Sequence, residues 1–204
     1  MLDKRIYLAS RSPRRRELLR QIGVSFELLF LREDPRRGRD VDETVLPHEA
    51  AQDYVVRLAR AKAELAARVA PQRGLRPHPA LGADTTVVFE GNVIGKPDGA
   101  EDAIRMLSAL SGREHQVMTA VALALRDRIE SVLSISTVEF RVLEPAEIER
   151  YVATGEPHGK AGAYAIQGRA AAFITRIAGS YSGIMGLPLA ETAQLLRKFD
   201  IAVI

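Results

Sequence analysis

The chain of 204 residues contains no cysteine and no tryptophan. Without thiols it has no disulfide, no thiolate zinc site and no cysteine nucleophile, a composition that suits a reducing compartment, with the cytoplasm as the expected location. Aromatic residues make up 5% of the chain and none interleaves with its arginine clusters, which argues against a base-stacking platform for RNA or single-stranded DNA. No uncharged apolar run approaches the roughly 20 residues that span a bilayer, and Met1 to Arg5 lacks the apolar core of a signal peptide, so no membrane partner is expected. Familiar ligand motifs are missing as well. There is no HExxH, no GxGxxG opening a helix, and His48, His78, His115 and His158 show no metal-ligand spacing. Gly91 to Pro97 ends in Gly-Lys like a P-loop. It is one residue short and carries proline where a hydroxyl should bind magnesium.

What is present is a hydrophobic content of 47% with 27% charged residues, enough for one substantial core and a single domain over 1–204. Its 29 basic and 26 acidic residues leave a net charge of +3, which permits nucleic-acid binding without demanding it. Strand patterns are predicted at 6–9, 26–31, 80–89, 93–94, 117–125, 132–142 and 173–177, helices at 13–22, from Pro47 or His48 to 70, at 98–110, 145–154 and 188–199. Asp98 is the expected cap of the third helix, Pro71 to Pro79 a break, and Arg32 to Asp40 a solvated loop. Interleaved helices and strands with a central meander predict an α/β (mixed α+β) domain on a mixed sheet.

The most informative segment is Ser10-Arg11-Ser12-Pro13-Arg14-Arg15-Arg16, directly after an apolar strand. Ser12 is a good N-cap and Pro13 fits the first helical position, so the arginines fall where a helix dipole disfavours cations by about 0.3–1 kcal/mol each. A phosphate at the free N–H groups would reverse that sign. Asp84 lies within an apolar strand, where a carboxylate needs a partner, a metal or backbone donors at the strand end. Lys62 falls on the apolar stripe Ala51, Val55, Leu58, Leu65, Val69, and either snorkels to water or reaches an anionic pocket. Lys96 follows a hairpin. Asp42 and Glu43 form an acidic pair that reads as a solvated loop or, with Asp84, as an oxygen-ligand set for magnesium or manganese. Gln167, in a glycine-rich stretch from Lys160 to Gly168, carries an amide suited either to reading a base edge or to capping backbone groups.

Together these segments resemble the Maf proteins, nucleoside triphosphate pyrophosphatases also known as septum formation inhibitors. The resemblance rests on Leu8 to Arg15, Tyr54 to Ala59 with Lys62, Gly82-Ala83-Asp84-Thr85, Lys96-Pro97, Leu110-Ser111-Gly112 with His115 to Thr119, Lys160 to Gly168, and Gly179 to Pro188. It implies a long twisted mixed sheet flanked by helices, two lobes around a nucleotide cleft, a homodimer, and hydrolysis of a triphosphate to monophosphate and pyrophosphate with Mg2+ or Mn2+. By the same resemblance Asp84 is the proton acceptor. Arg14, Thr85 and Gln167 match the set associated with dTTP and UTP, while Ser10, Arg15, Lys62 and Lys96 match substrate- and phosphate-binding positions. Glu43 and Asp84 match positions near the metal, and Arg11 and Arg16 are expected as solvated neighbours. Two readings compete with the enzyme: a nucleic-acid-binding module built on the arginines, and a regulator of septum formation that binds nucleotide without hydrolysing it.

Overall fold

The computed structural model describes residues 5–31 and 40–203, so most of the predicted polar loop from Arg32 to Asp40 lies outside the described residues. Among the described residues the chain runs β1 (Ile6–Leu8), α1 (Pro13–Gln21), β2 (Phe26–Leu28), α2 (Ala51–Gln72), β3 (Ala80–Phe89), β4 (Asn92–Ile94), α3 (Ala100–Leu110), β5 (Glu114–Leu125), β6 (Arg128–Phe140), α4 (Pro145–Ala153), β7 (Ile174–Ala178), α5 (Tyr181–Met185) and α6 (Leu189–Lys198). Short 3-10 turns cover Ala161–Ala163 and Arg169–Phe173.

The strands form the mixed, helix-flanked sheet expected, in the order β2-β1-β3-β5-β6-β7 with β4 pairing to β3. β2, β1 and β3 are parallel, whereas β3, β5, β6 and β7 are antiparallel neighbours. Alternation along β5 sends Met118, Ala120, Ala122 and Ala124 to the face covered by α2. Its other face is shared between two cores. Val121 and Leu123 pack with residues of α1 and α6, whereas Val117 packs with α3, α4 and the 3-10 turns. Met185 of α5 touches both cores.

One interruption in the sheet decides where a ligand can sit. β1 ends at Leu8, opposite Leu81, and β4 joins β3 only from Val87 onward. Between these points Gly82 to Thr86 pair, among the described residues, with β5 alone. A central strand therefore has a short open edge, from which both its faces are reachable.

Several boundaries differ from the sequence expectation. α2 starts at Ala51 instead of Pro47 or His48, because Glu49 turns back to accept from Leu46 N–H at 3.0 Å and His48 takes a positive φ of 59°. It continues through Pro71, since a proline in the last turn sacrifices only one helical bond. Its buried line is Val55, Leu58, Ala59, Ala63, Ala66 and Ala70, rotated from the predicted stripe because the alanines admit a close approach to the sheet. β2 stops at Leu28 because its partner β1 is equally short. Asp98 does not cap α3: Gly99 is the cap residue, and the Asp102 carboxylate accepts the Asp98 N–H at 2.9 Å. β6 begins earlier than predicted, at Arg128, continuing directly from its hairpin with β5.

Candidate active site

The first turn of α1 is built as its sequence suggests. Ser12 is the N-cap, its hydroxyl accepting the Arg15 N–H at 3.4 Å, and Pro13 opens the helix. Ser10, 8% exposed, accepts from the Ser12 N–H at 3.2 Å and from Arg15 Nη1 at 3.1 Å. The arginines find protein acceptors beyond their own helix. Arg15 Nε donates to the Gly186 carbonyl at 2.8 Å and Nη2 to Thr85 Oγ1 at 3.2 Å, while Arg14 Nε donates to the Met185 carbonyl at 3.3 Å. Carbonyls at the end of α5 thus offset the unfavourable position of these cations at the start of α1. Burial lowers the pKa of the Arg14 guanidinium, because a cation taken out of water is penalised. Arg11 is exposed, as expected, and lies over the Phe30 ring, 5.0 Å from its centroid, whereas Arg16 is half-buried with an enclosed Nε lacking a partner among the described residues and is not a simple solvated neighbour.

On the opposite face of β3 three charged side chains meet. Lys62 Nζ is 2.7 Å from Asp84 Oδ1 and 2.7 Å from Glu43 Oε1, with Lys62 and Asp84 each 15% exposed. The lysine crosses to Asp84 because Ala59 and Ala63 bring α2 against Gly82, two residues before the aspartate. Glu43 is brought in by its neighbours' backbone. Arg57 donates to the carbonyls of Asp42, at 3.3 Å, and Thr44, at 3.0 Å, and Tyr54 Oη donates to the Glu43 carbonyl at 3.1 Å. Arg57 also forms a fork on Glu49, at 2.6 and 2.8 Å, which holds the Glu49 carboxyl at about 2. Burial, followed by the Asp84 and Glu43 charges, pushes the Tyr54 hydroxyl up to about 12, so it stays a donor.

These elements enclose a cavity of about 660 Å³ at the open edge of β3. The nine residues that the family resemblance assigns to the site all reach its wall, whereas Asp42, the other half of the acidic pair, does not. Ser10, Arg14 and Arg15 enter from α1, Glu43 and Lys62 from α2 and the segment before it, Asp84, Thr85 and Lys96 from β3 and the chain after β4, and Gln167 from the segment between the 3-10 turns. Asp84 and Thr85 are sequence neighbours that point to opposite faces: Asp84 meets Lys62, and Thr85 Oγ1 accepts from Arg15 Nη2 and donates its own proton to Thr119 Oγ1, 3.0 Å away. Among the described residues no group of three or more His, Cys, Asp or Glu side chains is arranged to hold a metal. Two carboxylates around one ammonium still suit Mg2+, which commonly takes one or two carboxylates and completes its shell with water and phosphate oxygens.

The description of a Maf-like protein matches residues 5–199. The chain belongs to the Maf family. This Maf protein is 61% identical over 199 residues to the dTTP/UTP pyrophosphatase of Aromatoleum aromaticum, covering 97% of both chains. It is 56% identical to that of Nitrosomonas europaea, over 97% of this chain and 96% of the relative, and 54% identical to that of Nitrosospira multiformis, over 99% and 98%. Among solved structures it is similar to the Ham1 proteins of Staphylococcus aureus and Coxiella burnetii. The first has a TM-score of 0.45 at 14% identity over 67% of this chain and 71% of that one, the second 0.42 at 18% over 67% and 72%.

Four residues of the Maf protein's site were not singled out by sequence pattern. Arg57 and Tyr54 act through backbone carbonyls 11 to 15 residues away, a relation with no sequence signature. Lys160 lines the cavity with Arg14, and its pKa is lowered by burial and then by the Arg14 charge. Thr119, fully buried, donates to the Gly183 carbonyl at 2.8 Å, and only its strand register opposite Thr85 marks it.

Proposed function

We propose that this chain hydrolyses dTTP and UTP to the monophosphate and pyrophosphate. The observation that carries the reading is the Lys62 ammonium held between Glu43 and Asp84 at one wall of the cavity, with Arg14, Thr85 and Gln167 at others. A volume of about 660 Å³ falls in the range of small-ligand sites. The relatives at 54–61% identity over nearly the whole chain, named dTTP/UTP pyrophosphatases, support the same reading.

In this reading Lys62, Lys96, Arg15 and Ser10 bind the triphosphate and meet the charge that grows on the departing diphosphate. Asp84 accepts the proton of the water that attacks the α-phosphorus. Glu43 and Asp84 would hold Mg2+ or Mn2+, which when bound supplies charge neutralisation to the phosphates. Arg14, Thr85 and Gln167 read the 2,4-dioxo edge of uracil or thymine, where an unpaired polar group is heavily penalised. The reading includes a cytoplasmic homodimer, tested by light scattering on the purified chain and by cell fractionation. It disfavours a nucleic-acid surface, since Arg14 and Arg15 line the cavity that would take a single nucleotide.

The test is a panel of nucleoside triphosphates with Mg2+ or Mn2+, with pyrophosphate and orthophosphate assayed separately. Pyrophosphate from dTTP and UTP is expected. Orthophosphate as first product would remove α,β-cleavage, and preferred turnover of 7-methyl-GTP would remove the pyrimidine assignment. Asp84→Asn should abolish turnover while nucleotide binding persists.

A further inference from the structure

Gln167, one of the residues proposed to meet the base, lies in a segment held by a group outside the cavity wall. Glu156 follows α4 and touches the segment bearing Lys160 and Gln167 at both its ends. Its carboxylate accepts the backbone N–H of Arg169 at 3.0 Å and of Ala170 at 3.4 Å, and the Tyr151 hydroxyl at 3.1 Å. Its own carbonyl accepts from Lys160 Nζ. Gly168 has no side chain where one would collide with this carboxylate: a Cβ there would lie 2.2 Å from Glu156 Oε1. Gln167 is thus adjacent to a glycine pressed on Glu156 and two residues before an N–H that Glu156 binds.

We infer that Glu156 is a positioning residue for base recognition, setting Lys160 and Gln167 as one unit against the 2,4-dioxo edge of a pyrimidine. The inference rests on the reading in which Gln167 addresses the base. Its physical content is an acceptor count. The carboxylate presents two oxygens to three donors, and all three contacts are made by a side chain bound to the turn rather than to substrate. Glu156→Gln leaves one oxygen for those donors and turns an NH2 group toward one of them, so the turn must shift. Lys160 loses nothing directly, because it holds the main-chain carbonyl, and it moves only as the segment moves.

The experiment compares kcat/KM for UTP and CTP, with melting temperature, for the wild type, Gln167→Ala, Glu156→Gln, Glu156→Asp, Gly168→Ala and the Glu156→Gln/Gly168→Ala double variant. Cytosine presents a different pattern of donors and acceptors from uracil, so the UTP:CTP ratio reports the reading of the edge. Glu156→Gln should lower that ratio by about tenfold or more, within the range that lost polar complementarity produces. Gly168→Ala should act alike by pushing the carboxylate aside, and the double variant should be little worse than either single one because both break the same contact. Glu156→Asp, which keeps both oxygens, should recover part of the ratio. A wild type that does not prefer UTP, or a Gln167→Ala variant that keeps the full preference, refutes the base-reading assignment itself. A preference lost in Gln167→Ala but kept in Glu156→Gln and Gly168→Ala refutes the role of Glu156 alone. Equal loss on UTP and CTP with a lower melting temperature also overturns it, by making Glu156 a purely structural residue.

Discussion

Replacing Gly82 by alanine should affect stability and activity through one displacement. A Cβ at this position would lie 2.4 Å from the Ala59 carbonyl oxygen and 2.5 Å from Ala63 N, both main-chain atoms of α2 that have no rotamer with which to escape. Non-bonded heavy atoms settle near ~3.5 Å. α2 and β3 must therefore separate by roughly 1 Å, an overpacking that costs about 1–3 kcal/mol. The same separation acts on Lys62 and Asp84, which project from the two parting elements and now meet at 2.7 Å. Added to that distance, ~1 Å carries the pair beyond hydrogen-bond range unless the lysine stem extends to follow. Urea unfolding should show a loss of about 2 kcal/mol with an unchanged denaturant slope. UTP turnover, measured where the variant is fully folded, should fall as well. Gly95→Ala is the control for stability, since its Cβ would meet nothing within 4 Å. A Gly82→Ala protein whose stability lies within ~0.5 kcal/mol of the wild type would refute the claim that helix and strand touch at their main chains.

His115 gives a pH prediction of definite sign. It is 3% exposed, its Nε2 lies 2.8 Å from Tyr164 Oη, its Nδ1 has no hydrogen-bond partner among the described residues, and burial lowers its pKa from 6.5 to about 4. The unfolded chain gains a proton near pH 6.5 that the folded chain refuses until about pH 4, so stability declines as pH falls through that window, by about 2 kcal/mol at pH 5. Unfolding from pH 8 to pH 5 should show this slope in the wild type and lose that part of it in His115→Phe; parallel curves for the two would remove the assignment. Arg57→Lys should raise the half-saturating Mg2+ concentration by about tenfold, because one ammonium cannot serve the carbonyls of Asp42 and Thr44 and both oxygens of Glu49. Direct Mn2+ binding should weaken in parallel, and unchanged metal dependence would show that the fork does not position Glu43.

How far these features were legible depends on the range over which they are determined. The start of α1 was readable because its cap and its proline act within three residues, and the β3 to β4 hairpin because its turn is local. The meeting of Lys62 with Asp84 was visible only as two misplaced charges. Their distance is set by Gly82 and two alanines, which no charge pattern reveals. Asp98 misled because a capping residue and the residue whose N–H is capped look alike in sequence; here Asp102 supplies the carboxylate. The α2 stripe misled because the larger side chains marked it, whereas closeness to the sheet is governed by the smallest. The grip of Arg57, Tyr54 and Glu156 on distant backbone groups leaves no trace in spacing at all.

The open edge of β3 also makes strand register a chemical variable. Asp84 and Thr85 differ in role only through parity, one pointing toward α2 and the other toward α5 and the Arg15 guanidinium. Sliding β3 by one position along β5 would exchange them, turning the carboxylate to the arginine and the hydroxyl to the lysine. Gly82 guards against that exchange, because only a residue without a side chain fits where the strand presses on Ala59 and Ala63. The thickness of a single strand therefore separates the proposed bond-cutting group from the proposed base-reading one, and a glycine two residues upstream acts as the key that keeps each on its own side.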